Sequence, residues 1–367
     1  MAEGVQEIPV RPWCLASVGA LLSAIAAASV APQCAMGPAQ PHGTFTAPRT
    51  RWGDPDLEGI WDSKTITPLQ RPGKFGGREF LTADEAASVE KEAAEHPGQA
   101  ERAEAAEEAL AQGVAPFVED AVGSCLLTFT YPGSKVVRTK RTSLIVDPQD
   151  GRIPVLGQGR AATVAPPVTP ARGNPRVSHT LDNSGRADDP EDRPAIERCL
   201  GVSLPCLGAL CAFTRMVQSP GYITIYYEQG TGGGAYRTIP LDGRPHLPSG
   251  IRLWLGDSVG HWEGKTLLID TTNFTNQTSF RGSREHLHLV ERFTRIRADE
   301  IIYRVTTDDV TTFAKPWTLE MTLTKVDDRP NLIYESACHE GNYSMTSTLA
   351  GARVLENDAA AQKKRPK

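Results

Sequence analysis

The sequence predicts a mainly β protein, an antiparallel β-barrel or sandwich carrying a helical segment on its surface, with the barrel in its last third. Glycine and proline number 33 and 28 among 367 residues, so turns are frequent and long helices scarce. Near the C-terminal end apolar residues recur at every second position. Leu319, Met321 and Leu323 alternate with Thr318, Glu320 and Thr322, and Ile301, Tyr303 and Val305 share one face of the preceding segment, the period of a half-buried strand. Several such segments, separated by turn residues, describe a meander that closes on itself.

In chain order, the first element is a targeting signal. Arg11 precedes the apolar, small-residue run Leu15 to Ala31, and Ser29-Val30-Ala31 has the small-x-small form of a cleavage site. Residues 1–31 are therefore expected to be a signal peptide, leaving a secreted or periplasmic protein. The run is too short and alanine-rich for a stable membrane span, and none is expected in the mature chain. An uncleaved anchor or a disordered leader is the alternative. Residues 32–50, rich in Pro, Gly and Ala, read as a disordered linker. A single β-rich domain then occupies residues 52–353, entered through a turn-rich segment in which Trp52 and Trp61 can cap a core.

Residues 82–112 are the one strong helical stretch. Thr82 stands as N-cap with Glu85 at the capping-box position, Pro97-Gly98 divides the stretch, and its charged face places it on the surface. Thr142 to Val155 reads as a strand, a turn at Pro148 to Gly151, and a second short strand. Residues 157–197 form a long polar loop. Gly221 to Gly230 and Ala235 to His246 are two strands joined through a Gly-rich turn, and residues 354–367 are a disordered tail. In an oxidising compartment Cys125, Cys199, Cys206, Cys211 and Cys338 can pair. Cys199 with Cys338 would tie the loop to the last strand, Cys206 with Cys211 would close a short loop, and Cys125 would be left over.

A net charge of -5 without a long Lys/Arg run excludes a nucleic-acid surface, which needs concentrated positive charge. Dinucleotide-binding, P-loop, nucleophile-elbow and zinc-protease motifs are all missing from the sequence. The chemistry-bearing residues gather late, with five of the eight histidines between His246 and His339. His286 and His288 are two apart, so on a strand both project from one face with Val290 and Arg292. Such a pair can grip a substrate between them, or a zinc ion if His246, His261 or His339 supplies a third nitrogen at about 2.0–2.1 Å. The plain alternative is that both line the solvent face. His339 and Glu340 form a second candidate, since imidazole titrates near neutrality and a buried carboxyl can rise toward it. On a strand the two diverge unless Gly341 marks a bend; a strand end with polar caps is the alternative.

Trp254, Trp262, Tyr303 and Trp317 can wall an apolar cavity, although such residues more often fill a core. Asn273 closes a polar strand end suited to hydrogen-bonding a ligand or to capping a turn. Arg237 and Arg244 flank a turn, and either can clamp a carboxylate, with plain surface solvation as the alternative.

Pro240 to His246, Gly260 to Phe274, Leu287 to Phe293, Lys315 to Thr318 and Ala337 to Arg353, with the upstream segments DPDLEGIWD and RTSLIVDPQDGRIP, resemble a widespread family of uncharacterised secreted bacterial proteins. The strand pattern also resembles a lipocalin-type barrel. The expected function is an exported small-molecule enzyme, a lyase, hydratase or isomerase that handles an apolar or aromatic substrate by histidine acid-base chemistry in a barrel cavity. The alternative is a non-catalytic periplasmic binding protein. No resident cofactor is expected.

Overall fold

Among the described residues ten strands make one antiparallel sheet: β1 (Gly59–Asp62), β2 (Ile145–Asp147), β3 (Phe213–Ser219), β4 (Tyr222–Tyr227), β5 (Ala235–Pro240), β6 (Asp257–Glu263), β7 (Thr266–Thr272), β8 (His288–Arg297), β9 (Glu300–Asp308) and β10 (Trp317–Lys325). The computed structural model describes residues 45–95, 135–154, 156, 187–192, 198–200, 203–207, 213–228, 235–327, 329, 333 and 343–363. The strand order is β5-β4-β3-β1-β10-β9-β8-β7-β6, with β2 added beside β10. Strands β1 and β2 divide the same edge of β10: Trp61 and Asp62 pair with Lys325 and Thr324, while Asp147 and Ile145 pair with Thr318 and Leu319. The barrel is therefore wider than the last third of the chain, because β1 and β3 to β5 belong to the same wall.

The wall curls until β5 meets β6, and there side chains close it without a backbone ladder among the described residues. Gly260 makes the approach possible. A Cβ at that position would lie 2.9 Å from Leu241 Cδ2 and 3.2 Å from Ile239 Cγ2, tighter than packed carbons allow.

Strand alternation produces stacked layers inside. One layer runs Ser258, Thr271, Leu289, Thr307, Trp317; the next runs Gly260, Ile269, Glu291, Val305, Leu319; the third runs Trp262, Leu267, Phe293, Tyr303, Met321. Leu319, Met321 and Leu323 are buried as their spacing predicts, and so are Ile301, Tyr303 and Val305. Phe293 stacks on Tyr303 with ring centroids 4.6 Å apart.

Helix α1 (Ala83–Glu95) starts with the expected reciprocal cap: the Glu85 N–H donates to Thr82 Oγ1 and the Thr82 N–H to Glu85 Oε2. Residues 96–112 lie outside the described residues. The turn from Pro148 to Gly151 closes as expected, but residues 152–154 make no second strand; Pro154 has no N–H for a ladder. Helix α2 (Ser344–Lys363) covers part of the expected disordered tail. Its Ala, Leu, Glu and Gln content favours helix, although its apolar residues form no stripe that would mark one. Arg353 ties it to the Ala187 and Asp188 carbonyls. Among the described residues no helix is long and apolar enough to cross a membrane. Cys199 and Cys206 are both disulfide-bonded; Cys125, Cys211 and Cys338 lie outside the described residues, as does most of the 157–197 loop.

Candidate functional site

Among the described residues the barrel interior holds one buried ionic network. Arg237, inward on β5, spans the seam. Its Nη2 donates to Glu291 Oε1 at 2.7 Å, its Nη1 to Ser258 Oγ and Thr271 Oγ1 at 3.3 Å, and its Nε to the Tyr227 hydroxyl at 3.2 Å. Glu291 Oε2 lies 2.6 Å from Nη1 as an ion-pair contact without hydrogen-bond geometry. The Tyr303 hydroxyl rises from the third layer to donate to Glu291 Oε1 at 2.8 Å. Burial opposes charge on Arg237, but Glu291 beside it prevails and holds the guanidinium above its ordinary value. Burial pushes the Tyr227 phenol up to about 12 and raises Tyr303, with Glu291 adding to both. Both tyrosines therefore stay protonated at neutral pH. The expected surface alternative for Arg237 does not hold, because its side chain is 5% exposed.

One layer above, two polar atoms are buried without a hydrogen-bond partner: Thr307 Oγ1 and Trp317 Nε1. These residues are register partners on β9 and β10, so their side chains stand side by side and face inward. Phe280 stacks on Trp317 at 6.0 Å between centroids and Phe313 meets its edge at 5.7 Å. This end of the barrel therefore offers an aromatic wall with an N–H and a hydroxyl that nothing in the described chain satisfies.

The histidines lie elsewhere. His288 begins β8 on its outer face, where Nε2 meets Asp270 Oδ1 and Oδ2 at 3.1 and 3.0 Å. His246, in the segment after β5, reaches the same carboxylate through Nε2 at 3.0 Å and Asp257 through Nδ1 at 2.9 Å. The Asp270 bond, opposed by partial burial and helped by Asp308, raises His288 above its ordinary value. Asp270 is lowered: burial works against this, and the His288 and His246 contacts outweigh it.

His286 does not share a strand face with His288. It sits exposed in the turn closed by Leu287 N–H to Arg284 O, and β8 starts only at His288. Among the described residues no group of three or more His, Cys, Asp or Glu is placed to hold a metal ion. His246 and His288 each contact the Asp270 carboxylate. His261 is exposed beside Glu263, and His339 and Glu340 lie outside the described residues. Of the aromatic set, Tyr303, Trp317 and Trp262 point inward, whereas Trp254 is exposed in the turn before β6. Asn273 is buried at φ +55° and its amide donates to the Leu247 carbonyl, pinning a loop to the end of β7. Arg244 is exposed and paired with Asp242.

No family model matches the chain, and no curated protein matches it. Solved structures of the fluorescent protein UnaG do. The wild-type structure is 14% identical with a TM-score of 0.20, over 31% of this chain and 72% of that one; a point mutant is 13% identical at the same TM-score, over 32% and 72%. Likeness at this level carries no argument, and the barrel rests on its own strand pairing.

Sequence reasoning missed Tyr227, Glu291 and Thr307. A signal for Glu291 was present: a carboxylate standing between Leu289 and Phe293 at the buried parity of an alternating strand.

Proposed function

We propose that this chain is an exported small-molecule-binding barrel whose ligand is an uncharged aromatic compound with a carbonyl oxygen. The observation that carries the reading is the pair of unsatisfied donors, Trp317 Nε1 and Thr307 Oγ1, beneath the aromatic wall of Phe280 and Phe313. A buried donor left without a partner costs about 1–3 kcal/mol, which a ligand oxygen between the two would relieve. Glu291 already neutralises Arg237, so the interior favours no net charge on the ligand. Export, the leader at residues 1–31 and membership of the secreted bacterial family remain part of this proposal.

The test is fluorescence titration of the full chain with prodan, a neutral naphthyl ketone. Saturable binding at one site is expected, weakened about tenfold in Trp317→Phe and in Thr307→Val, the equivalent of about 1.4 kcal/mol. Binding unchanged in both variants sinks the reading. The second reading, a histidine acid-base enzyme, draws support from the Asp257, His246, Asp270, His288 chain. Its described imidazoles lie on the outer wall, so its substrate would sit there and not among the layers.

A further inference from the structure

Three arginines among the described residues are buried: Arg71, Arg237 and Arg295. Arg237 faces Glu291. Arg295 faces Asp56 at 3.3 Å and donates to the Asp56 and Ala298 carbonyls. Arg71 is the exception. It is 2% exposed, its Nε donates to Thr142 Oγ1 at 3.0 Å, and its Nη1 has no hydrogen-bond partner. It forms no ion pair with any described residue.

From this contrast we propose that Arg71 anchors a binding site for a small oxyanion, a carboxylate or a phosphate. A guanidinium taken out of water needs a counter-charge or a full set of acceptors, and the chain supplies Arg71 with neither. The fork is nevertheless fixed in place. The Arg71 N–H donates to the Gly151 carbonyl at 2.8 Å, and the adjoining chain is tied by Leu144 N–H to Pro68 O and Ile145 N–H to Leu69 O. Thr142 Oγ1 donates onward to the Arg78 carbonyl at 2.7 Å, so its lone pair is aimed at Nε. The turn backbone lies directly on the guanidinium. At Gly151, φ +71°, a Cβ would come within 3.2 Å of Arg71 Cζ and 2.5 Å of Ser143 Oγ. The Nε side is thus held by the protein and an Nη nitrogen is left for a guest, in the planar geometry that matches two adjacent anionic oxygens. Asp147, at the end of β2, and Gln149 and Asp150 in the turn after it are exposed. This site is separate from the ketone site and does not depend on it.

The test uses the full chain at constant ionic strength, replacing chloride stepwise with inorganic phosphate or with acetate while following the thermal midpoint. Wild type is expected to show a saturable rise with one anion or both, one site per chain by equilibrium dialysis. Arg71→Met abolishes the response and Arg71→Lys, which keeps the charge without the fork, weakens it at least tenfold. A response to phosphate alone assigns a phosphate ligand; a response to acetate alone assigns a carboxylate. Should Arg71→Met fail to fold, dialysis on wild type and Arg71→Lys decides. The proposal is overturned by no saturable response to either anion, which makes the arginine structural, or by equal responses in wild type and variants, which places the anion elsewhere.

Discussion

Arg237 on β5 and Glu291 on β8 meet at 2.6 Å across a junction that no backbone ladder bridges among the described residues. Removing either partner leaves a buried charge alone, so Arg237→Met and Glu291→Leu singly are expected to cost about 3–5 kcal/mol each, with the double variant recovering most of the loss. Urea midpoints of the four proteins measure this. Additive losses in the double variant would show that the two side chains are not coupled.

The contacts of Asp270 predict a pH window. His288 is raised, so its contribution is complete below its unfolded value of 6.5 and is lost as pH climbs through the higher folded value. Asp270 is lowered, so its contribution is complete above 3.8 and is lost as pH falls through the lower folded value. The pair therefore stabilises most between 3.8 and 6.5. Both side chains are partly exposed, which keeps the effect small. Asp270→Asn should flatten the stability-pH curve on both sides of that window, and an unchanged curve counts against the pairing.

Gly256 has φ +68°, and a Cβ there would lie 2.7 Å from the Thr272 carbonyl and 2.9 Å from Phe274 Cζ. Gly243, at φ +74°, faces open space. Gly243→Ala should cost about 1–2 kcal/mol through backbone strain alone. Gly256→Ala should cost about 2–4 kcal/mol, since overlap with packed atoms is added. Equal losses in chemical denaturation would mean that the chain around Gly256 yields.

Cys199 and Cys206 are disulfide-bonded, and the expected partners are Cys338 and Cys211. Peptide mapping without reductant should recover both linked pairs from protein isolated from the native host, whose first residue should fall near Pro32. A Cys125 link to Cys199 or Cys206 would rule out that pairing.

Part of this architecture is written locally. The alternation through β9 and β10 and the Thr82 to Glu85 cap need only neighbours a few residues apart, and both are legible in the sequence. His286 misled because the period was carried past the start of β8 into a turn, where alternation means nothing. The search for chemistry centred on histidines, whereas the interior polar groups that it passed over are Glu291, Tyr227 and Thr307, set beside Arg237, Tyr303, Ser258 and Thr271. Glu291 is marked by its parity, but its partner Arg237 stands 54 residues earlier, and only the closed wall brings them together. Arg71 sits in a stretch without periodicity, so nothing in the sequence announces its burial.

The junction between β5 and β6 also has a kinetic meaning. Hairpins such as β6–β7 and β8–β9 form from residues close in sequence, while the Arg237 contacts must wait until the wall has curled and loop closure over 54 residues has been overcome. Contacts that form after the rate-limiting step leave the folding rate nearly untouched and govern the unfolding rate instead. If closure of this junction follows the rate-limiting step, Arg237 governs how long the barrel stays shut more than how fast it assembles.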